Sequence, residues 1–497
     1  MLPPYGGTLV NLCVSASETP ILSKKAYSLA QLRLTERALC DLEVLATGGF
    51  SPLTTFMGEQ DYKNVVENMR LKNGMLWPMP ITLPIDPSQG FRESMEVALT
   101  DENGQAIAIM TLLEIYTYDP MTEAQKVFGT TDESHPGVAA LVKQPKFYAS
   151  GPIQLFKMPA YYDFPALRRT PSEVREELDK RQWKRIVAFQ TRNPLHRAHE
   201  ELTKRAAQQI EGGLLLHPVV GMTKPGDVDH YTRVLCYQAL VKHHYKANEV
   251  FLSLLPLAMR MGGPKEAIWH AIIRRNYGAT HFIVGRDHAG PGKDKQGKPF
   301  YGPYDAQELM QKHETELGVK MVPFQMVVYL PDKDTYVPLD QVPQGEKTAD
   351  ISGTQVRDEY LATGKPLPAW FTRPEIAEVL AHAHPPTHKQ GFVLAITGKN
   401  PHEKHFCALA LEQMLSAHGK NVSLIEDQTL THSTQLIQHI LLHQGIAVVT
   451  VDGINMGACN ATPKTYFDVK LAEQVNVSDI VLNLKNALLN ERLIISE

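Results

Sequence analysis

A ten-residue segment with two histidines constrains the fold of this chain more than any other part of it. It runs Gln-Thr-Arg-Asn-Pro-Leu-His-Arg-Ala-His from Gln190 to His199, between an apolar run and a stretch of helix-forming residues. A strand, a tight polar turn and a helix in that order are typical of α/β folds, which bind phosphates at the helix N-terminus. His196 and His199 are three residues apart, so we expect both side chains on one face of that helix start. The segment therefore predicts an anion-binding site.

Zinc binding is the main alternative for these two histidines. Two histidines at this spacing can ligate zinc, but no cysteine or pair of carboxylates nearby completes a ligand set. Glu200 follows His199 and does not give the His-Glu-x-x-His order of zinc proteases. Imidazoles at a helix start can instead donate hydrogen bonds to phosphate oxygens or to charge that develops in a transition state. We therefore expect no protein-bound metal.

A glycine-rich segment follows a second apolar run, at 281–284. It reads Gly-Arg-Asp-His-Ala-Gly-Pro-Gly from Gly285 to Gly292. Three glycines in eight residues allow the backbone to approach a ligand closely. Arg286 adds a planar guanidinium, which suits a tetrahedral oxyanion such as phosphate or sulfate. Both segments thus follow predicted strand ends, where ligands bind in parallel sheets.

Taken in order, these motifs resemble those of the ATP sulfurylases (sulfate adenylyltransferases), a family of nucleotidylyltransferases. The first segment resembles the family's His-x-x-His signature in its full form, and 285–290 resembles its Gly-Arg-Asp-His-Ala-Gly loop nearly word for word. Segments 217–227, 259–267 and 351–357 resemble further family elements in the family's order. The resemblance spans essentially the whole chain. It implies transfer of the adenylyl group of ATP to sulfate, giving adenylyl sulfate and pyrophosphate.

The resemblance also implies a role for each residue of the two segments. Sulfate would be held by Gln190, Arg192, Arg286 and the backbone N–H of Ala289. The catalytic residues would be Thr191, Arg192, Asn193, His196 and His199, of which the histidines stabilise the charge on the departing pyrophosphate. The nucleotide would be contacted by Gln190, Arg192, Asn193, Pro194, Leu195, Gly285, Arg286, Asp287, His288, Met326 and Val327. Mg²⁺ is expected to arrive with ATP rather than in a protein cage.

Composition agrees with a multidomain cytoplasmic enzyme. The 497 residues are 43% hydrophobic and 21% charged, and the net charge of −4 gives no support for a nucleic-acid or membrane-surface protein. Five scattered cysteines form no Cys-x-x-Cys pair, which favours reduced thiols over a disulfide framework. The first residues lack the basic and apolar regions of a signal peptide, and no run of 18 apolar residues occurs.

The chain divides into three predicted domains of an α/β multidomain protein. Residues 1–162 show short alternating runs at 77–85, 96–99 and 106–118, and predict a mainly β domain, which is PUA-like in the family. Residues 163–388 alternate strands and helices and predict a Rossmann-like nucleotidylyltransferase domain with a parallel sheet. Its strands are expected at 185–190, 214–220, 250–255, 281–284 and 320–329, and its helices at 230–245, 264–277 and 304–317.

Residues 389–497 predict a P-loop-kinase-like α/β domain, with strands at 392–396, 422–425, 447–451 and 480–484. A working P-loop needs glycine before its lysine and a hydroxyl residue after it. Here Glu403 and His405 flank Lys404, so only Lys404 and Gly398 remain of the loop. The layout resembles the adenylyl-sulfate-kinase-like domain of fungal-type ATP sulfurylases, with the kinase chemistry lost. Apolar residues crowd 436–442 and 487–494, and the resemblance implies a homohexamer assembled through this domain.

Other functions remain open at this point. One is a bifunctional enzyme that also phosphorylates adenylyl sulfate, against which the altered loop at Glu403 and His405 argues. Another is a different nucleotidylyltransferase or a class I synthetase relative, which would leave the Gly-Arg-Asp-His-Ala-Gly segment unexplained. A third is a catalytically silent scaffold, which intact motifs disfavour. The sequence does not set the physiological direction, toward sulfate activation or toward ATP synthesis.

Overall fold

The computed structural model describes most of the chain. Its described residues are 1–161, 163–224, 227–323, 327–386, 391–397, 400–418, 420–426, 446–451, 466–470 and 477–490. They form two compact units, one of residues 1–350 with 370–376 and one of residues 351–369 with 377–497. Among the described residues, no helix has the length and apolar character needed to cross a membrane. The predicted boundaries at 162 and 388 fall outside the described residues and stay predictions.

The N-terminal part of the first unit contains two sheets. The first has the strand order Ala30–Arg33, Glu96–Thr100, Ala106–Thr111, Ile153–Leu155, and the second Leu83–Ile85, Phe147–Ser150, Glu114–Thr117. All pairs are antiparallel except that of the first two strands. Five helices accompany them: Thr19–Ala26, Glu36–Ala46, Glu59–Asn68, Pro120–Phe128 and Pro136–Lys143. The part is thus richer in helix than its alternating runs predict, and the run at 106–118 contains two strands.

A five-stranded parallel sheet follows. Its spatial order is Val250–Leu252, Gly213–Leu216, Ile186–Phe189, His281–Val284, Lys320–Pro323. The chain therefore builds outward in one direction from Ile186–Phe189 and then returns to the other side with His281–Val284. Ligands of such sheets bind where the order reverses, outside the carboxyl ends of the strands. The two sequence motifs follow these two neighbouring strands.

Helices cover the parallel sheet much as the sequence predicts. They are Pro171–Lys180, Arg197–Gln209, His230–His244, Gly263–Asn276 and Asp305–Leu317. The helix Gly263–Asn276 is buried along nearly its whole length, with Trp269 fully enclosed and its ring 5.3 Å from that of Phe50. Asn276 at its end accepts from the Tyr5 backbone and donates to the Gly49 carbonyl oxygen. The N-terminal part and the parallel sheet therefore share one core, and this core holds the helix Gly263–Asn276 in place.

The prediction of a single strand at 320–329 is wrong. Lys320–Pro323 pairs in the parallel sheet, whereas Val327–Leu330 pairs antiparallel with Thr335–Pro338. Pro323 has no N–H, so it cannot continue a ladder as a donor, and the strand ends there. Further along lie a short helix Gly353–Gln355, capped by Ser352, a π-helix Val356–Leu361 and the helix Pro374–Ala383.

The second unit contains a four-stranded parallel sheet. Its order is Val422–Glu426, Ile446–Val451, Val393–Thr397, Tyr466–Lys470, and its described helices include Pro401–Ala417 and Val477–Asn490. The prediction of a strand at 480–484 is wrong, because this run lies inside the helix Val477–Asn490. A short apolar run does not by itself distinguish a strand from a buried helix segment. The strand Tyr466–Lys470 was missed.

The apolar residues expected to drive assembly are only partly described. The stretch 436–442 lies outside the described residues, as do Leu493 and Ile494. In the helix Val477–Asn490, Ala487 is exposed and Leu488 is buried in the core of its own unit. Of the residues of this stretch whose burial is described, Leu488 packs in the core of its own unit and Ala487 does not.

Candidate active site

The loop that follows Ile186–Phe189 (residues 190–196, the first loop) is held by its own hydrogen bonds. Thr191 is buried, and its Oγ1 accepts from the Asn193 N–H at 3.1 Å and donates to the Asn193 carbonyl oxygen at 3.0 Å. The Tyr237 hydroxyl donates to the same carbonyl oxygen at 2.8 Å. Leu195 is buried below, while the Asn193 side chain is exposed. The loop is therefore pre-shaped, with the Asn193 side chain directed outward.

The two histidines lie together where the helix Arg197–Gln209 (the site helix) begins. His196 is the N-cap residue but gives no side-chain cap, and its ring lies 4.0 Å from that of His199. Burial lowers the pKa of His196 to about 4 and holds that of His199 well below its usual value, with His196 lowering it further. Both imidazoles are therefore neutral at pH 7, and each can donate one N–H to an anion. The expected proximity of the pair is present.

A distant segment completes this helix start. The Arg197 N–H donates to the Phe371 carbonyl oxygen at 2.9 Å, and the Phe371 ring stacks on His196 with centroids 4.8 Å apart. Two residues on, Arg373 donates to both carboxylate oxygens of Glu200, each at 2.9 Å. A bidentate, partly buried pair of this kind has a fixed geometry. It holds the segment across the first turn of the site helix.

Arg192 is engaged by a carboxylate. Its Nη1 lies 2.5 Å from both oxygens of Asp227, and one of these oxygens also accepts from the Lys224 N–H at 3.1 Å. The Lys224 ammonium donates to the Pro291 carbonyl oxygen at 2.6 Å. This chain of contacts joins the first loop to the glycine-rich segment. It concentrates two cations at the carboxyl edge of the sheet.

The loop at 285–292 (the second loop) is shaped by two left-handed residues. Asp287 has φ 51° and Ala289 has φ 54°, conformations that cost roughly 1–3 kcal/mol each for residues with a side chain. The Asp287 N–H donates to the Pro303 carbonyl oxygen, and the Ala289 carbonyl oxygen accepts from the Gly263 N–H. Within the described residues, the Ala289 N–H has no acceptor. Arg286 is exposed, and open space surrounds Gly285, so a ligand can approach both.

His288 of the second loop points its Nε2 at a buried histidine. The distance from this atom to Nδ1 of His270 is 3.1 Å, and Nε2 of His270 lies 3.1 Å from Glu266. Burial holds the pKa of His288 well below its usual value, and His270 and Arg274 lower it further. This imidazole is therefore also neutral at pH 7.

The remaining predicted residues lie at the edges of the same region. Gln190 is half-buried, with Nε2 3.8 Å from the Met259 sulfur and Oε1 buried without a partner among the described residues. Val327 begins a strand that packs on the site helix through Ala198 and Tyr329. Met326 lies outside the described residues. The buried, orphaned oxygen of Gln190 is a group that a ligand or water must satisfy.

Comparison with known proteins identifies the family. The ATP-sulfurylase family model matches residues 165–383, and the PUA-like domain model matches residues 2–158. The sulfate adenylyltransferase of Mycosarcoma maydis is 51% identical over 437 residues, which are 86% of this chain and 75% of that protein. That of Eremothecium gossypii is 44% identical over 488 residues, 96% of each chain. The chain belongs to the sulfate adenylyltransferase family.

A solved structure supports the fold of this chain. The chain titled "Hexameric APS kinase from Thiobacillus denitrificans" superposes with a TM-score of 0.78 at 25% sequence identity, over 100% of both chains. The expected fold class is confirmed, with a PUA-like N-terminal domain, an α/β catalytic region with a parallel sheet, and P-loop-kinase-like architecture.

Some residues that contact the two loops or the site helix, directly or through one other residue, were not predicted from the sequence. Asp227 and Glu266 lie in segments that were identified only by their resemblance to the family, His270 lies in the predicted helix 264–277, and no role was predicted for Phe371 or Arg373. Their only sequence signal is the placement of charged and aromatic residues at element ends. Contact with the two loops depends on the tertiary fold, which brings these residues within hydrogen-bond distance.

Proposed function

We propose that this enzyme transfers the adenylyl group of ATP to sulfate, giving adenylyl sulfate and pyrophosphate. The observation that carries the proposal is the pair of loops at the point where the strand order reverses. One loop presents two neutral histidines at a helix start, and the other presents Arg286 and an open backbone N–H. A reaction that aligns sulfate with the α-phosphate of ATP needs anion-binding groups on both sides of the reacting atoms. The family assignment supports the same chemistry.

The proposed reaction needs no general base. An oxygen of sulfate already carries the electron pair that attacks the α-phosphorus, and the bond from that phosphorus to the bridging oxygen breaks. Its electrons leave on pyrophosphate. Sulfate would bind between Gln190, Arg192, Arg286 and the Ala289 N–H, and Thr191, Arg192 and Asn193 would contact phosphates. His196 and His199 would donate hydrogen bonds to the charge that grows on the leaving group.

The remaining proposed nucleotide contacts are to the α-phosphate, ribose and adenine. They comprise Pro194, Leu195, Gly285, Asp287, His288, Met326 and Val327, of which Met326 lies outside the described residues. Burial raises the pKa of Asp287, while Arg192, Arg286 and Lys224 act to lower it. A carboxyl group beside three cations suits hydroxyl recognition better than phosphate recognition.

Mg²⁺ enters this proposal with ATP, as part of the substrate. Mg²⁺ prefers oxygen ligands in octahedral geometry, whereas His196 and His199 offer nitrogen. The carboxylate of Asp227, which contacts the first loop, is occupied by Arg192. Triphosphate oxygens are therefore the better ligands, with charge neutralisation as the contribution of the ion.

Pyrophosphate release is the measurement that tests the reaction. The purified chain with ATP and Mg²⁺ should release pyrophosphate only when sulfate is added, and with adenylyl sulfate and pyrophosphate it should form ATP. Release that is independent of sulfate, or that requires an amino acid, would assign the chain to another nucleotidyl transfer.

Arg286 tests the sulfate wall of the site. We expect Arg286→Ala to lower kcat/KM by more than about 10³-fold, since a charge-assisted anion contact acts in the transition state. Arg286→Lys should recover little, because lysine lacks the planar fork. Arg92→Ala, a change of an exposed arginine in the N-terminal part, is the matched control. Turnover near normal in Arg286→Ala, with normal folding, removes this residue from the site.

We also propose a cytoplasmic homohexamer whose C-terminal domain has lost kinase chemistry. The similar solved chain is titled a hexameric APS kinase, and Cys13, Cys40, Cys236 and Cys407 are free thiols. Light scattering should give six chains per particle, and a chain ending at residue 386 should give smaller particles. A monomeric full-length protein, or hexamers of the shortened chain, would contradict this. No 3′-phosphorylated product should form from adenylyl sulfate and labelled ATP.

A further inference from the structure

A line of three side chains runs from the core into the second loop. Glu266 and His270, one turn apart on the helix Gly263–Asn276, are both 0% exposed. The carboxylate oxygen Oε1 of Glu266 lies 3.1 Å from Nε2 of His270, and Nδ1 of His270 lies 3.1 Å from Nε2 of His288. His288 is half-buried and belongs to the proposed nucleotide site. In each of these contacts, only one of the two facing atoms can carry the hydrogen-bonding proton.

Glu266 sets the arrangement at the buried end. Its Oε1 accepts from the Arg260 N–H at 3.0 Å and its Oε2 from the Gly262 N–H at 2.7 Å. Burial acts to raise the pKa of Glu266, but His270 and these two N–H groups hold it below its usual value. The group is therefore an ionised carboxylate, which can only accept. An ionised carboxylate beside Nε2 of His270 favours the proton on that nitrogen, even though the N–H does not point straight at the oxygen.

The nitrogen of His270 that carries the proton determines which nitrogen of His288 carries one. Burial lowers its pKa despite Glu266, so the ring carries one proton, and with that proton on Nε2 its Nδ1 is an acceptor. Nε2 of His288 must then be the donor in the 3.1 Å contact. Since His288 is also neutral, its Nδ1 carries no proton. This Nδ1 makes no hydrogen bond within the part of the chain that the structure describes.

We infer that Glu266 and His270 are positioning residues, which hold His288 in the tautomer whose Nδ1 accepts a hydrogen bond from the nucleoside of ATP. The inference rests on the proposed function and makes it more specific. An acceptor at this place selects a hydroxyl or amino donor on the ligand. If the proton of His270 were on Nδ1 instead, the Glu266 carboxylate would face an unprotonated Nε2 of His270. Nδ1 of His288 would then carry a proton and act as a donor. Tautomer control through the second ring nitrogen is the usual way in which a partner directs histidine.

ATP analogues that each lack one donor test the inference. The probes are 2′-deoxyATP, 3′-deoxyATP and the triphosphate of purine riboside, which lacks the 6-amino group. We expect the unaltered enzyme to use one of them with kcat/KM about 10-fold or more below that for ATP, because the acceptor on His288 is left unpaired. The identity of that analogue distinguishes the ribose from the base.

Variants of His270 separate positioning from packing. His270→Phe keeps the ring volume but removes the acceptor, so it should lower kcat/KM for ATP toward the value for the discriminated analogue. His270→Asn keeps an oxygen near the position of Nδ1, so it should retain most of the discrimination. His288→Phe should lose it as completely as His270→Phe. KM for ATP should carry the change, with kcat at saturating ATP altered less.

Several outcomes would overturn the inference. One is an unaltered enzyme that uses all three analogues as well as it uses ATP. Another is a His270→Phe enzyme that loses activity equally with ATP and with every analogue, which is the behaviour of a merely structural residue. If the unaltered chain shows no sulfate-dependent pyrophosphate release, the proposed function fails instead. Calorimetric binding of ATP and the analogues to the same variants then still decides the role of His288.

Discussion

Each of the two compact units contains a parallel strand followed by a long helix, but the two helices begin differently. In both units the strand is buried, and the helix that it precedes is Arg197–Gln209 in one and Pro401–Ala417 in the other. The first helix has no side-chain cap at its N-cap residue, His196. The second is capped by Asn400, whose side chain accepts from the His402 N–H at 3.0 Å, and it has Glu403 in its first turn.

This difference teaches how a phosphate site is kept or lost. A helix N-terminus favours anions because its first N–H groups lack partners and because the macrodipole is positive there. At the second helix start, an asparagine cap satisfies the first preference from within the chain and the Glu403 carboxylate satisfies the second. The first helix also has a carboxylate in its first turn, but this one, Glu200, is paired with Arg373. The first helix start instead presents neutral imidazoles, which favour an external anion. Catalysis should therefore depend on the first helix start, and only local stability on the second.

The largest expected effect is on turnover. His196→Ala should lower kcat by about 10²–10³-fold, the range for a lost donor to transition-state charge, with ATP affinity changing less. His402→Ala removes an exposed histidine at the second helix start and is the matched control. It should leave kcat within about twofold, because the site has no role for it.

Two results would break the comparison at this point. A pure KM effect in His196→Ala would assign that histidine to ground-state binding. One zinc per chain, with activity lost to a chelator in excess Mg²⁺, would show that His196 and His199 ligate metal. Equal losses in His196→Ala and His402→Ala would remove the distinction between the two helix starts.

An intermediate effect is expected on the pH dependence of stability. The pKa of His196 is lowered by burial from 6.5 to about 4 in the folded chain. Between these values the unfolded chain binds the proton more readily, so the free energy of unfolding falls as the pH falls from 6.5 to 4. The contribution of this group is at most about 3 kcal/mol. Urea unfolding of His196→Ala should therefore show a smaller loss over this window than the unaltered chain, and a parallel loss would contradict the assignment.

The smallest effect is local to the second helix. Asn400→Ala removes the cap and should cost about 1 kcal/mol, with kcat unchanged. Hydrogen exchange of amides in the first turns of Pro401–Ala417 should quicken by about fivefold, the factor that corresponds to this free energy. Unchanged protection would show that the cap contributes nothing there, and lost turnover would show that this helix start acts on the reaction.

The sequence predicted those parts of the site that lie along one strand and the turn after it. The strand His281–Val284 is found at the predicted residues, and the first loop and site helix follow Ile186–Phe189 as expected. Hydrophobic runs and turn residues are local signals, so they define these elements without the tertiary structure. The same signals failed at 480–484, where a short apolar run is one turn of an amphipathic helix rather than a strand.

Partners that come from distant segments could not be predicted in this way. Asp227 engages Arg192 across 35 positions, and His270 meets His288 across 18 positions through a buried contact. Neither pair has a spacing that marks it. The position of His270 is set by the packing of the helix Gly263–Asn276 on the N-terminal core. The chemical type of each of these residues could be predicted from the sequence, whereas its contact partner could not.

The contact between Phe371 and the site helix has a consequence for biosynthesis. A ribosome makes the first loop and the site helix well before it makes Phe371, which lies 174 positions beyond Arg197. At about 5–20 residues per second, roughly 9–35 s pass between the two. During that interval the nascent chain has His196 without the ring that stacks on it and Glu200 without Arg373. Nucleotide binding by ribosome-bound chains should therefore begin only after residue 376 has emerged.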